Sequence, residues 1–411
     1  MNKILWLALT ICLVGQVVPF HLEYPSRLDV SELPVEYIDS FLEAEQHRRS
    51  LDGAAIWYLL STFPAAFLLL SYRLPIRIEQ RWCNTWKRWP ARIAFLVGVG
   101  LWMKLVALPY ALLTYFARAD MGITNMVFSE WLRLLIVGLP FPLLLFSLRC
   151  LLVYCAMPIF GRSWWLAAAL LVFLIFSVIP EWTSRTRPID PIVTTTRLPD
   201  GDVRDELDRV AAVAGFQLDY YVDDTSNRSR TVNMYVTGRL GREYVGLTDT
   251  IITSFTTGEL SVVMAHELWH QIVRRKSALT RWGIGLASAL VSFYVVFLMT
   301  RRSRIDDPLR LHTLVILLVA QSALSFAWTP LTSALGRQEE RDADRYALQL
   351  LQQPELLKSA ILKASRINAT PFTIPGWIYG FSASHPTVKE RLAFADRWHI
   401  SGPENPGAEL E

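Results

Sequence analysis

Apolar runs of about 20 residues, the length that crosses the hydrocarbon core of a bilayer as a helix, recur at 4–20, 54–72, 93–116, 134–157, 164–182, 282–300 and 311–330. The pattern predicts seven spanning helices and a mainly α chain. The first run, Lys3 followed by ILWLALTICLVG, also has the form of a signal peptide. The following GQVVPF offers no small-x-small cleavage site, so a retained helix is expected. Lys104 and Arg149 fall inside spans and are expected to snorkel to an interface.

Two polar stretches, 183–281 and 331–411, have the pattern of folded protein. The chain is therefore expected to divide into five spans (1–182), a polar unit (183–281), two more spans (282–330) and a polar helical segment (331–411). The unit opens with TSRTRPIDPIVTTTRLPDG, whose prolines and threonines favour extended backbone. Val203, Leu207, Val210, Ala211 and Ala214 then recur at helical spacing, with Gly215 as a stop. Phe216, Leu218, Tyr220 and Val222 alternate with polar residues, as do Val232, Met234 and Val236, with the turn-rich DDTSNRSR between them. YVGL, 244–247, makes a third short strand, and the unit reads as α+β.

Composition agrees with a membrane body. Hydrophobic residues are 52% of the chain and charged residues 19%, with mean hydropathy +0.28, which excludes a string of soluble domains. The 15 Trp, 20 Phe and 14 Tyr suit membrane interfaces and interhelical gaps. Lys and Arg cluster beside apolar runs, a topology signal, and leave no nucleic-acid footprint. Cys12, Cys83, Cys150 and Cys155 lie in or beside the apolar runs, so the polar stretches have neither a disulfide framework nor thiolate metal ligands.

The chemistry begins at Thr256-Thr257-Gly258-Glu259, a capping box with Glu259 three residues beyond Thr256. It opens the helix LSVVMAHELWHQIV, which puts His266 and His270 one turn apart on one face. Both imidazoles can reach a single zinc ion while Glu267 stands beside it as the base for an attacking water. The apolar flanks bury this helix, and unpaired buried histidines are costly. Zinc hydrolases use three protein ligands, and LGRQEERDADRYALQLL offers Glu339, Glu340, Asp342 and Asp344. Glu340 and Asp344 share a face, so one could bind metal while the other orients an imidazole. Arg337, Arg341 and Arg345 also recur at i, i+4, as on a solvated charged face, and helix geometry alone leaves the two readings level.

HELWH, a pair of spans, EERDAD and then FSASHPTVKERL resemble the type I CAAX prenyl protease family, seven-span zinc endopeptidases with bacterial relatives. The resemblance covers nearly the whole chain. It implies an HExxH…E (gluzincin-type) metalloprotease with one zinc held by His266, His270 and Glu340, and Asp344 steadying a zinc histidine. Glu267 and His385, from Ser384-His385-Pro386, become catalytic, His385 as an oxyanion or substrate contact, with Arg391 at the family's following arginine. The family's asparagine-containing edge strand matches Asn233-Met234-Tyr235-Val236-Thr237-Gly238, implying substrate binding by Asn233 and Tyr235 through strand addition. Its spans enclose a water-filled chamber.

Trp269 replaces the usual glycine before the second histidine, and its ring must turn away from the metal or narrow the cleft. Only Thr248 to Thr257 separates the third strand from the zinc helix, a compactness that suggests a bacterial member, in the inner membrane rather than the endoplasmic reticulum. The expected substrates are extended, unfolded or membrane-tethered (CAAX-like) peptides or proteins. The alternatives are a quality-control protease for misfolded envelope proteins and a catalytically silent membrane scaffold. The partners are the lipid bilayer and a protein substrate; oligomeric state is open. Short basic loops at 73–92 and 301–310 stay inside, which puts the catalytic stretches outside.

Overall fold

The computed structural model describes residues 33–46, 88–175, 194–238, 243–276, 278–302 and 311–401. The expected spans at 4–20 and 54–72, and the end of the one at 164–182, lie outside them. After a helical stretch at 35–46 come α1 (Arg88–Asp120), α2 (Phe128–Gly138), α3 (Pro140–Phe160), a 3-10 turn at Gly161–Ser163 and α4 (Trp164–Phe173). Arg92–Asp120 and Phe128–Phe173 are long and apolar enough to cross a membrane, and few residues of their most apolar windows are buried by the protein. Leu105, Ile136, Phe141 and Leu144 stay exposed, as lipid-facing positions do. The expected span at 134–157 begins inside α2, because the chain divides at Leu139 and restarts with Pro140 at the first position of α3.

The polar unit is a four-stranded sheet flanked by helices: β1 (Thr195–Arg197), α5 (Asp202–Val213), β2 (Asp219–Asp223), β3 (Met234–Thr237), β4 (Tyr244–Thr248), α6 (Asp249–Ser254) and α7 (Thr257–Lys276). Strand order is β1-β2-β4-β3, with β2 parallel to β4 and the other pairs antiparallel. β3 is thus an edge strand. Its alternation is the one the sequence predicts, with Val232, Met234 and Val236 buried and Asn233 exposed. Tyr235 pairs with Gly246 across the ladder. A Cβ on Gly246 would run into the Tyr235 ring, whose hydroxyl donates to Asp223 at 2.9 Å. Tyr235 therefore lies across the sheet. Thr195–Arg197, inside the expected linker, is extended as predicted but also pairs with β2.

α8 (Ala278–Arg302) covers the residues of the expected sixth span, but its apolar part, Trp282–Leu298, is shorter than the two stretches above. α9 (Leu311–Leu351) is one helix of 41 residues, so the seventh expected span and the acidic motif are continuous, and the expected boundary at 330 falls inside it at Pro330. α10 (Pro354–Ile367), α11 (Gly376–Ser382) and α12 (Val388–Ser401) follow. One core joins α1, α3, α4 and α8 through Phe95, Tyr154, Met157, Trp164 and Val296. The other lies under the sheet and around α7, and Leu33, Tyr37 and Phe41 of the 33–46 stretch belong to it. Phe41 is fully buried and meets Phe372 edge-on at 5.5 Å, so part of the expected span region packs with the polar unit. The loop after α1 is also sewn to this unit: Asn125 donates from its main-chain N–H to the Arg228 carbonyl at 2.8 Å and from Nδ2 to the Ser226 carbonyl at 2.7 Å.

Candidate metal centre

α7 starts where the sequence places it. The Thr256 N–H donates to Glu259 Oε2 at 2.7 Å and the Glu259 N–H to Thr256 Oγ1 at 3.3 Å, both arms of a capping box. Glu259 also receives Ser359 Oγ and Lys363 Nζ, each at 2.6 Å, which ties α10 to the first turn of α7. Val262, Met264, Ala265 and Leu268 bury the sides of the helix, leaving His266 and His270 facing α9.

The two imidazoles converge there, with Nε2 atoms 3.3 Å apart. Glu340 on α9 closes the triangle, Oε2 at 3.3 Å from His266 Nε2 and Oε1 at 3.4 Å from His270 Nε2. Zinc bonded at about 2.0–2.2 Å in tetrahedral geometry keeps its ligand atoms about 3.3–3.6 Å apart. The donor set therefore fits such an ion in chemistry and in spacing. His266, Glu267 and His270 also form a group within 4.8 Å that could hold a metal. Glu340 turns its two oxygens to the two Nε2 atoms, where a third ligand would stand.

Each imidazole is held from behind. His266 Nδ1 lies 2.9 Å from Asp344 Oδ1, and Asp344 in turn receives Arg391 through Nε at 2.7 Å and Nη2 at 2.6 Å. His270 Nδ1 lies 3.2 Å from Glu339 Oε1. Such outer contacts set the ring orientation of metal-binding histidines. The family resemblance implied this role for Asp344 and left His270 without an orienting acceptor. Two histidine ligands need two acceptors, and the adjacent Glu339 was the available signal.

Electrostatics separate the carboxyl groups. Burial pushes Glu267 above the usual carboxylate range, against the pull of the two histidines. Burial acts on Glu340 in the same sense, but His266 and His385 outweigh it and hold the group far below that range. Asp344 is held at about 2 against burial by Arg391 and His266. For His266, burial works downward, and hydrogen bonds to Asp344 and Glu340 overcome it, raising the group to about 10. Glu267 is thus the carboxyl most ready to take a proton, and Glu340 the one most firmly charged.

His385 reaches the cluster from the segment between α11 and α12, Nδ1 3.1 Å from Glu340 Oε2, with its ring largely exposed. Arg337 anchors that segment by donating Nη1 to the carbonyls of Tyr379 at 2.9 Å and Ala383 at 2.6 Å. Gly336 lets it approach closely, since a Cβ there would stand 3.0 Å from the Ser384 carbonyl oxygen. Trp269 packs against Tyr346 of α9 with ring centroids 5.4 Å apart. Asn233 is exposed on the edge strand, and β3 packs against α7.

Residues 197–399 match the model for peptidase family M48. The Bacillus subtilis (strain 168) protein named uncharacterized metalloprotease YhfN is 25% identical over 335 residues, 77% of this chain and 76% of that one. A CAAX prenyl protease 1 homolog of Oryza sativa subsp. japonica is 26% identical over 73% of this chain and 72% of its own length. The crystal structure of S. mikatae Ste24p superposes with a TM-score of 0.71 at 18% identity, covering 95% of this chain and 96% of that one, a likeness of fold.

Proposed function

The chain belongs to the CAAX prenyl protease-like family, a group of membrane metalloproteases, with its peptidase family M48 part at residues 197–399, and from that premise we propose that it is a zinc endopeptidase of the HExxH…E type. Its substrates are extended, unfolded or membrane-tethered peptides. The observation that carries the reading is the triangle of His266 Nε2, His270 Nε2 and a Glu340 carboxylate with edges of 3.3–3.4 Å. Those three residues would hold the zinc. Bound zinc polarises a carbonyl and lowers the pKa of water, so that peptide hydrolysis runs near neutral pH.

The protein supplies the rest. Glu267 takes the proton from the attacking water and returns it to the leaving amine. Asp344 and Glu339 keep the imidazole Nε2 atoms aimed inward. His385, exposed beside Glu340, donates to the oxyanion as it develops. Asn233 and the β3 edge receive the substrate as an added strand, through main-chain hydrogen bonds that tolerate many sequences. Tyr235 fastens β3 to the sheet, its ring lying over Gly246 and its hydroxyl reaching Asp223 on β2.

Seven spans, the expected division at 182 and 281, a last span that runs on unbroken into the acidic part of α9, and residence in a bacterial inner membrane complete the proposal. The apolar runs support the spans, and the similarity to the Bacillus subtilis protein supports a bacterial setting. The test uses purified full-length protein in detergent. One zinc per chain, and cleavage of an unfolded peptide that a chelator abolishes and zinc restores, is the expected result; a metal-free protein without peptidase activity would overturn it.

A further inference from the structure

The free edge of β3 is closed at both ends and open between them. Antiparallel pairing sends the main-chain groups of alternate residues to opposite sides of a strand. Asn233 faces β4: its carbonyl accepts the Thr248 N–H at 3.0 Å and its N–H donates to Thr248 Oγ1 at 3.0 Å. Val232, Met234 and Val236 therefore present their N–H and C=O groups to the free edge. At Val232 both groups are occupied by one side chain. The Val232 N–H donates to Asn368 Oδ1 at 2.9 Å, and Asn368 Nδ2 donates to the Val232 carbonyl at 3.0 Å. A carboxamide has the donor and acceptor of a peptide group, so Asn368 makes the pair of bonds that a neighbouring strand would make there.

At the other end the Gly238 carbonyl accepts Gln271 Nε2 at 3.0 Å. Among the described residues, no hydrogen bond engages the Met234 or Val236 main chain on this edge. Gln271 directly follows His270, so the Gly238 end lies level with the histidines on α7. The Asn368 end is registered to the start of α7, because α10, which Asn368 caps, is bonded to Glu259 through Ser359 and Lys363.

We propose that Asn368 determines substrate specificity by filling the Val232 position of the docking edge. An antiparallel substrate strand, the sense β4 already takes against β3, pairs at Met234 and Val236. On its C-terminal side it meets Asn368 and must leave the sheet. The inference rests on β3 being the docking strand. It says that lengthening a substrate beyond this point on its C-terminal side brings no further main-chain pairing.

The test is a nested series of fluorogenic peptides with a fixed N-terminal half and one to six residues after the scissile bond, given to the zinc-loaded full-length protein in detergent. In the wild type, kcat/KM should rise with length and then level off. Asn368→Ala should leave the short peptides unchanged, move the plateau out by two residues and raise the longer peptides about tenfold, the value of two added main-chain hydrogen bonds. Asn368→Ser, too short to make both bonds, gives the same reading should the alanine variant fold poorly. Identical length dependence in wild type, alanine and serine variants would overturn the stop while leaving the peptidase intact. Failure of the zinc-loaded wild type to cleave any peptide would overturn the docking reading and the stop with it.

Discussion

Glu339 stands behind His270 across the contact of α7 and α9, its Oε1 3.2 Å from the ring Nδ1, while the next residue, Glu340, faces the other nitrogen of the same ring at 3.4 Å. Adjacent glutamates thus serve one histidine from two sides. Glu339→Ala should lower zinc affinity about 10–100-fold, the usual effect of losing an outer partner of a metal histidine, and still load fully at excess zinc. Glu339→Gln keeps an acceptor and should recover most of the affinity. Zinc competition with a chromophoric chelator measures both. Complete loss of zinc from Glu339→Ala at saturation would make Glu339 a ligand.

The tie between α7 and α10 gives a pH dependence. Burial alone would raise Glu259, but Lys363, Ser359 and the Thr256 N–H outweigh it and hold the group below its ordinary value. A carboxyl whose pKa is lower folded than unfolded stabilises fully above the unfolded value, about 4.3, and loses that contribution as pH falls through the folded value. Glu259→Gln should therefore be less stable than wild type by about 1–3 kcal/mol at pH 7, with the gap shrinking below about pH 4.5. Thermal melts of the two proteins across that range check the sign.

The zinc helix was legible because its signals are local: a capping box spans three residues and two histidines one turn, both readable on one face. Asp344 and Glu340 were legible only with the family resemblance, since their carboxylates alternate with arginines that could equally have marked a solvated face. The 41-residue length of α9 was not, because the change from apolar to charged residues near Pro330 marks a change of surroundings and leaves the helix unbroken. Leu33, Tyr37 and Phe41 carry a helical period, yet nothing local says that they pack under a sheet two hundred residues away. Asn368 and Val232 are 136 positions apart, beyond any pattern in the chain.

His385→Ala and Asn233→Ala should fold and hold zinc. His385→Ala should lower kcat about 10²–10³-fold, as removal of an oxyanion donor does, whereas Asn233→Ala should act more through KM. Gly336→Ala should imitate the histidine variant more weakly by displacing Ser384. Steady-state kinetics with zinc content measured on the same samples separates these effects; wild-type turnover in the first two would return them to structural roles.

Ser226 is exposed in the loop that bonds to Asn125, so the end of α1 and the polar unit share one side of the membrane. From the basic stretches at 73–92 and 301–310 the expectation is that this side faces outward. A cysteine introduced at Ser226 should react with a membrane-impermeant maleimide in intact cells. Reaction only after lysis would place the unit inside.

The most direct measurement of the central claim pairs zinc content with peptide cleavage in Glu267→Gln and Glu340→Ala. A proton carrier and a ligand must fail differently. Glu267→Gln should retain one zinc per chain and lose cleavage by several orders of magnitude, and Glu340→Ala should lose the metal and the activity together. Full zinc in Glu340→Ala, or wild-type cleavage by Glu267→Gln, would contradict the account.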